Sequence, residues 1–92
     1  MLIMAEREIT IINRLGMHAR AAAKFVGLAS QFKSEIELEK GNRRVNGKSI
    51  MGVMMLAASK GSTVRLLAEG EDANQAIDAL SALIESRFGE AE

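Results

Sequence analysis

Residues 8–32 read EITIINRLGMHARAAAKFVGLASQF, and the spacing of the apolar side chains changes within this stretch. Isoleucine and threonine predominate in residues 8–12, with alternate isoleucines on one face, which predicts a strand. Residues 13–16 contain asparagine and glycine, which interrupt regular structure. From His18 to about Phe32 the apolar residues recur at helical spacing. The stretch therefore predicts a strand, a tight turn and an amphipathic helix.

The rest of the chain repeats these two patterns, separated by glycines because proline is absent. The further predicted elements are strands at Ser34–Glu39, Arg43–Val45 and Thr63–Glu69, a hairpin turn at Gly41-Asn42, a short helix at Ser49–Ala58, and a long amphipathic helix after Gly70 with Phe88 as its last apolar position. Asp72 and Gln75 resemble a capping box for that last helix. The alternating carboxylates of Glu35, Glu37 and Glu39 are expected along the solvated edge of their strand.

The order βαββαβα predicts an α+β fold. One four-stranded antiparallel sheet with three helices on a single face is the two-layer arrangement that buries these apolar positions. We expect a single domain over residues 1–92, with an ordered core from about residue 6 to residue 88.

Composition excludes several classes of function. Lys plus Arg and Asp plus Glu both number 12, so no basic excess points to a nucleic-acid partner. The chain has no cysteine and one histidine, so we expect no disulfide, no metal site and no cofactor. The apolar start, Met1 to Met4, is too short for a secretory leader, nothing suggests a membrane span, and Met4 is an alternative start. Gly47-Lys48-Ser49 lacks the upstream glycine of a nucleotide-binding phosphate loop.

His18 is the candidate for chemistry. It follows Gly16-Met17 and begins a predicted helix, where backbone N–H groups without partners and the helix dipole favour an anion. Arg20 adds a planar cation that can hydrogen-bond phosphate oxygens, and imidazole is a competent nucleophile near neutral pH. The alternative is that His18 is a capping or surface residue and that Arg20 is a solvated charge.

Two segments resemble the HPr family, the histidine-containing phosphocarriers of the sugar phosphotransferase system. The first is Gly16-Met17-His18-Ala19-Arg20-Ala21-Ala22, and the second is Asn46-Gly47-Lys48-Ser49-Ile50-Met51-Gly52-Val53-Met54. The resemblance extends from about residue 6 to residue 88. It implies an open-faced β-sandwich and an HPr-type cytoplasmic protein, with the nitrogen-related paralogue NPr as the alternative. Ala21 stands where the family usually has proline.

The resemblance also implies roles. His18 would be phosphorylated on Nδ1, beside Arg20 and the backbone N–H groups of Ala19, Arg20 and Ala21. Enzyme I, charged from phosphoenolpyruvate, would be the donor and IIA proteins the acceptors. The chain would then be a phosphoryl carrier and not an enzyme, and a monomer is expected.

The predicted helix at Ser49–Ala58 has apolar residues on two sides, whereas a short helix over a sheet buries only one side. From the helical wheel alone these residues could be core or an exposed surface for several partners. The resemblance implies docking of enzyme I and IIA proteins on Met17, Arg20, Lys24, Gly27, Ile50, Met51 and Met54.

Ser49 has two interpretations that are compatible with each other. Serine is a favoured N-cap residue, and the hydroxyl would accept a backbone N–H. The resemblance implies that Ser49 is the regulatory target of an HPr kinase/phosphorylase.

Two further hypotheses belong to other classes of function. A regulatory binding module would keep the fold and the methionine-rich surface without using His18. A hydrolase would use His18 as a general base, but no serine or cysteine nucleophile is evident beside it. An acid-labile phosphate on His18 would separate the carrier from both.

Overall fold

The computed structural model describes residues 2–92. The elements are β1 (Met4–Thr10), α1 (Ala19–Ala29), β2 (Glu35–Lys40), β3 (Arg43–Asn46), α2 (Ile50–Met55), β4 (Thr63–Glu69) and α3 (Ala73–Glu85), followed by a 3₁₀ turn at Arg87–Gly89. The predicted order βαββαβα is confirmed. No helix within residues 2–92 is long and apolar enough to cross a membrane.

The four strands form one antiparallel sheet in the order β1-β4-β2-β3. In β4 the residues Val64, Leu66 and Ala68 are buried, and in β2 the same is true of Ile36 and Leu38. This alternation matches the period-two pattern in the sequence, because successive side chains of a strand point to opposite faces. The helices cover the buried face, and the other face is open to solvent.

The open face carries charged residues. Glu35, Glu37 and Glu39 alternate with the buried Ile36 and Leu38 along β2, an inner strand, and so lie on its solvated side as the sequence predicted. The Glu39 carboxylate accepts from Arg44 Nη2 at 3.0 Å on β3 and lies 3.5 Å from Arg65 Nη1 on β4. The carboxylates of Glu37 and Glu39 are therefore part of ion pairs across the strands.

A continuous apolar core fills the space between sheet and helices. Its largest wholly buried side chains include Phe25 of α1, Leu66 of β4, Leu80 of α3, and Phe88. Phe88 was expected as the last apolar position of the long helix, but α3 ends at Glu85. Phe88 reaches the core from the 3₁₀ turn instead.

The predicted ends of several elements were also wrong. Strand β1 ends at Thr10, because Ile11 bonds to a loop: its N–H donates to Ser62 O and its C=O accepts from Gly61 N. Helix α1 is shorter than the expected span of residues 18–32. Helix α2 stops at Met55, where Arg43 Nη1 donates to the Met55 carbonyl at 2.7 Å.

The capping box at α3 was wrong as well. Asp72 precedes α3, but its side chain does not cap that helix. The carboxylate accepts the backbone N–H groups of Lys33 and Ser34, each at 2.9 Å, and the Ser34 hydroxyl. The hydrogen bond from the Ser34 hydroxyl, followed by that from Lys33 N–H, holds the pKa of Asp72 below its usual range. Asp72 therefore joins the α1–β2 loop to the start of α3.

Candidate functional site

His18 occupies the N-cap position of α1, with extended backbone angles and a side chain that is 26% exposed. The turn before it depends on Gly16, whose φ is +65°. A Cβ on Gly16 would lie 2.7 Å from the carbonyl oxygen of Ala58 and 2.8 Å from Cα of Ser59. Met17 N–H donates to the same Ala58 carbonyl at 2.8 Å. The loop that carries His18 is thus packed against the segment that precedes β4.

The start of α1 provides donors beside the imidazole. The first N–H groups of a helix have no intrahelical acceptor, and here the His18 side chain does not cap them. Ala19 and Arg20 are exposed, but Ala21 is wholly buried. The contribution of the Ala21 N–H group stays a prediction. Among residues 2–92 no acidic group forms an ion pair with Arg20, so its guanidinium is available to an anion.

The C-terminal residues fold back onto His18. The Glu90 carboxylate accepts a hydrogen bond from His18 Nε2 and a second one, at 2.9 Å, from Asn13 Nδ2. These two bonds, that from Asn13 being the larger cause, hold the pKa of Glu90 below its usual range. Glu90 is only 15% exposed at its side chain. Glu90 is therefore a built part of the site and lies beyond the predicted core limit of residue 88.

Asn13 itself is wholly buried and held in one orientation. Its amide nitrogen donates to Gly16 O at 2.8 Å as well as to Glu90, and its Oδ1 has no hydrogen-bond partner within residues 2–92. A buried polar atom without a partner costs about 1–3 kcal/mol. Turning the amide over would place Oδ1 against two other oxygens, so the observed orientation is the better one.

The tail is anchored at three further points. Phe88 fills the core, and its carbonyl accepts from Lys24 Nζ at 2.6 Å. Arg14 bonds to Glu92 through its backbone N–H and through its guanidinium, both at 2.9 Å. The tail and the His18 loop enclose an open cleft of about 590 Å³. Its lining residues are Arg14, Leu15, His18, Ala19, Arg20, Glu90, Ala91 and Glu92.

Helix α2 exposes the apolar side chains that the helical wheel left ambiguous. Ile50, Met51 and Met54 are 44%, 75% and 41% exposed, and we call these three residues the Met surface. Arg20, Lys24 and Gly27 of α1 are also exposed, and α1 packs against α2. Met17 is different: it is 6% exposed and lies in the core, so its expected role in docking is corrected.

Ser49 is the N-cap of α2, as the sequence predicted. Its hydroxyl oxygen accepts the backbone N–H of Gly52 at 3.1 Å. The side chain lies at the helix end that begins the Met surface.

Comparison with known proteins agrees with this geometry. A family model described as "PTS HPr component phosphorylation site" matches residues 5–86. The chain belongs to the HPr family. It is 56% identical over 89 residues to the phosphocarrier protein HPr of Cupriavidus necator, which covers 97% of this chain and 100% of that relative. It is 45% identical over 86 residues to the phosphocarrier protein NPr of Shewanella violacea, with 94% of each covered.

A solved structure agrees at the level of the fold. The crystal structure of HPr-C-His from Thermoanaerobacter tengcongensis matches with a TM-score of 0.92 and 55% sequence identity, covering 96% of this chain and 99% of that one. The expected open-faced HPr fold is confirmed. The HPr family also defines the class of activity, since HPr is a phosphocarrier of the phosphotransferase system and not an enzyme.

Three residues of this HPr site were missed by the sequence reasoning. Glu90 lies 72 positions from His18, and no local pattern connects them. Asn13 was interpreted only as a strand breaker, although a buried asparagine next to the candidate nucleophile is the kind of residue that orients a site. Leu15 lines the cleft and is 60% exposed.

The geometry of the turn before His18 gives a first prediction. Gly16→Ala should lower the free energy of unfolding by at least about 1–2 kcal/mol, because the left-handed φ disfavours a Cβ and that atom would contact Ala58 O. Urea denaturation measures the change. The control is Gly27→Ala in α1, where nothing lies within 4 Å of an added Cβ; it should raise stability by about 0.5–1 kcal/mol. Equal stability of Gly16→Ala and wild type would contradict the prediction.

Proposed function

We propose that the chain accepts a phosphoryl group on Nδ1 of His18 from phosphorylated enzyme I and passes it to IIA proteins. The observation that carries the proposal is the position of His18 at the N-terminus of α1, with Nε2 bonded to Glu90 and the Arg20 guanidinium nearby without an ion pair. Nδ1 is thereby the ring nitrogen left for attack. The protein acts as a monomer in the cytoplasm, where phosphoenolpyruvate charges enzyme I.

The surroundings of His18 suit a phosphoryl group that must leave again. The N–H groups at the start of α1 and the positive end of the helix dipole favour the phosphoryl oxygens. Arg20 can donate two parallel hydrogen bonds to them. One arginine without an ion pair and one helix end bind an anion moderately, and the carboxylate of Glu90 lies in the same cleft. This balance supports transfer in both directions.

Hydrolysis with His18 as a general base has less support. In a nucleophile–base pair the ring nitrogen bonds to a hydroxyl or thiol. Among residues 2–92, the group bonded to the His18 ring is the carboxylate of Glu90. The regulatory binding module stays the alternative to the carrier, and the next experiment separates them.

Phosphorylation of His18 is tested by intact mass. After incubation with enzyme I, Mg²⁺ and phosphoenolpyruvate, the wild type should gain one phosphate that acid removes, and His18→Ala should gain none. Imidazole carries the phosphoryl group as an acid-labile phosphoramidate, whereas serine esters survive acid. Absence of the adduct with an active enzyme I from the same organism would favour the regulatory module.

We also propose that enzyme I and IIA proteins dock on the Met surface and on the bordering Arg20, Lys24 and Gly27. Exposed methionine adapts to partners of different shape, and exposed apolar patches mark interaction sites. The Met surface and the start of α1 lie on packed helices, so one partner could contact both.

Docking is tested by a matched pair of substitutions. Met51→Asp should raise the KM for phosphorylated enzyme I about tenfold or more, because loss of a central apolar contact costs about 2 kcal/mol and about 1.4 kcal/mol is tenfold. Met4→Asp should leave the KM unchanged. Met4 on β1 is as exposed as Met51, 76% against 75%, but lies outside the Met surface. Equal KM values for both variants would contradict the docking proposal, provided that both show wild-type circular dichroism.

We propose, finally, that Ser49 is phosphorylated by an HPr kinase/phosphorylase. A phosphate there would add about two negative charges beside the Met surface and impair docking of acidic partners. An active cognate kinase with ATP should label wild type and Ser59→Ala but not Ser49→Ala. Ser59 serves as an exposed control serine. Ser49→Ala should itself lose about 1 kcal/mol of stability with its N-cap bond. Absence of label on the wild type would contradict regulation at this site.

A further inference from the structure

The hydrogen bonds around Glu90 fix the protonation of His18. Glu90 accepts from Asn13 Nδ2 through one carboxylate oxygen and faces His18 Nε2 with the other. Its pKa is lowered chiefly by the bond from Asn13, so the carboxylate is ionised near neutral pH. An ionised carboxylate can only accept hydrogen bonds. The proton of a neutral His18 ring therefore resides on Nε2, and the lone pair is on Nδ1.

We propose that Glu90 is a positioning residue for phosphoryl transfer, which holds His18 in the tautomer with Nε2–H and stabilises the positive ring formed when Nδ1 is phosphorylated. The inference rests on the proposed function and adds a group that acts through His18 without touching the phosphoryl group. A carboxylate plays the same part towards the histidine of a serine-protease triad.

Phosphoryl transfer to His18 exchanges one bond to phosphorus for another. The Nδ1 lone pair forms the new N–P bond while the bond from phosphorus to the enzyme I histidine breaks, and its electron pair stays on that donor nitrogen. The proton on His18 Nε2 does not move, so the phosphorylated ring is positively charged and the Glu90 carboxylate lies against that charge. In the onward step a lone pair of the IIA acceptor forms the new bond to phosphorus while the N–P bond to His18 breaks; its pair returns to Nδ1, and a neutral ring with Nε2–H leaves.

Glu90 is held in place by the turn that precedes it and by the Asn13 side chain. Arg87 and Phe88 have φ values of 58° and 55°, a conformation rare for residues other than glycine, and they reverse the chain after α3. Phe88 is 1% exposed and anchors this turn in the core. On the other side, both amide hydrogens of Asn13 are used on Gly16 and Glu90 while its Oδ1 has no partner among residues 2–92.

Glu92 provides a matched control. It carries the same charge in the same cleft, two residues further along the tail, but its carboxylate pairs with Arg14 and not with His18. Glu92→Gln removes a charge from the cleft and leaves the His18 ring bond in place. A difference between the Glu90 and Glu92 variants therefore reports the loss of the hydrogen bond to His18 and not a general change in the charge of the cleft.

The first measurement is the tautomer of unphosphorylated His18, from the ¹⁵N chemical shifts of its two ring nitrogens at a pH where the ring is neutral. Wild type and Glu92→Gln should both carry the proton on Nε2. Glu90→Gln should lose this preference, because its single amide oxygen cannot accept from both Asn13 Nδ2 and His18 Nε2. Glu90→Ala should show a mixture of both tautomers. A loss of structure alone would not move the proton in this pattern, and backbone amide spectra establish that each variant is folded.

The second measurement is the rate of transfer from phosphorylated enzyme I to each variant. Loss of a group that orients a functional histidine typically lowers activity about 10- to 100-fold, which we expect in kcat for Glu90→Ala with KM unchanged. Glu90→Gln should also fall below wild type, because glutamine has neither the negative charge nor a second acceptor oxygen for His18. Glu92→Gln should match wild type.

Two outcomes would overturn the inference while the carrier function stands: a single Nε2–H tautomer in Glu90→Ala, or a kcat within twofold of wild type for that variant. If the wild type itself accepts no phosphate, the proposed function fails and so does the role of Glu90 in transfer. The experiment thus distinguishes the two failures.

Discussion

Strand β4 lies between β1 and β2, which are not hydrogen-bonded to each other. It therefore joins the first strand of the chain to the β2–β3 hairpin. The loop that carries His18 depends on the same strand. Ile11 bonds to Gly61 and Ser62 just before β4, and Met17 bonds to Ala58. Because β4 is the last strand in sequence, the loop acquires its final support only when this long-range pairing forms. The site is thus built on a tertiary constraint and not on the local sequence.

The electrostatics of the cleft follow from what a carrier needs. Arg14 and Glu92 pair with each other, which leaves the Arg20 cation and the Glu90 carboxylate, so the cleft has no large excess of either charge. A cluster of several cations would hold phosphate strongly and slow its departure. The helix N-terminus supplies the remaining attraction through partial charges that the backbone cannot lose. Such a cleft can favour phosphate enough to accept it and still release it.

How much the sequence predicts depends on the range of the interaction. The inward residues of β2 and β4, the hairpin at Gly41 and the cap at Ser49 were predicted, since each follows from neighbours in the chain. Glu90 and Asp72 were not, because the partners of both are remote: His18 and Asn13 for Glu90, and Ser34 for Asp72. A carboxylate beside a helix start looks like a cap in sequence, and only the packed structure brings Ser34 close enough to compete for Asp72.

Helix α2 shows how so small a fold can expose four large apolar residues on one short helix. Its six residues are too few for a stable isolated helix, because nucleation is unfavourable and few bonds repay it. Ser49 satisfies a donor at one end, and Arg43 and Lys40 of the β2–β3 hairpin bind the carbonyls of Met55 and Ala57 at the other. With both ends held, Val53 alone is buried within the helix. The backbone beneath the Met surface is then ordered before any partner arrives, which lowers the entropy cost of docking.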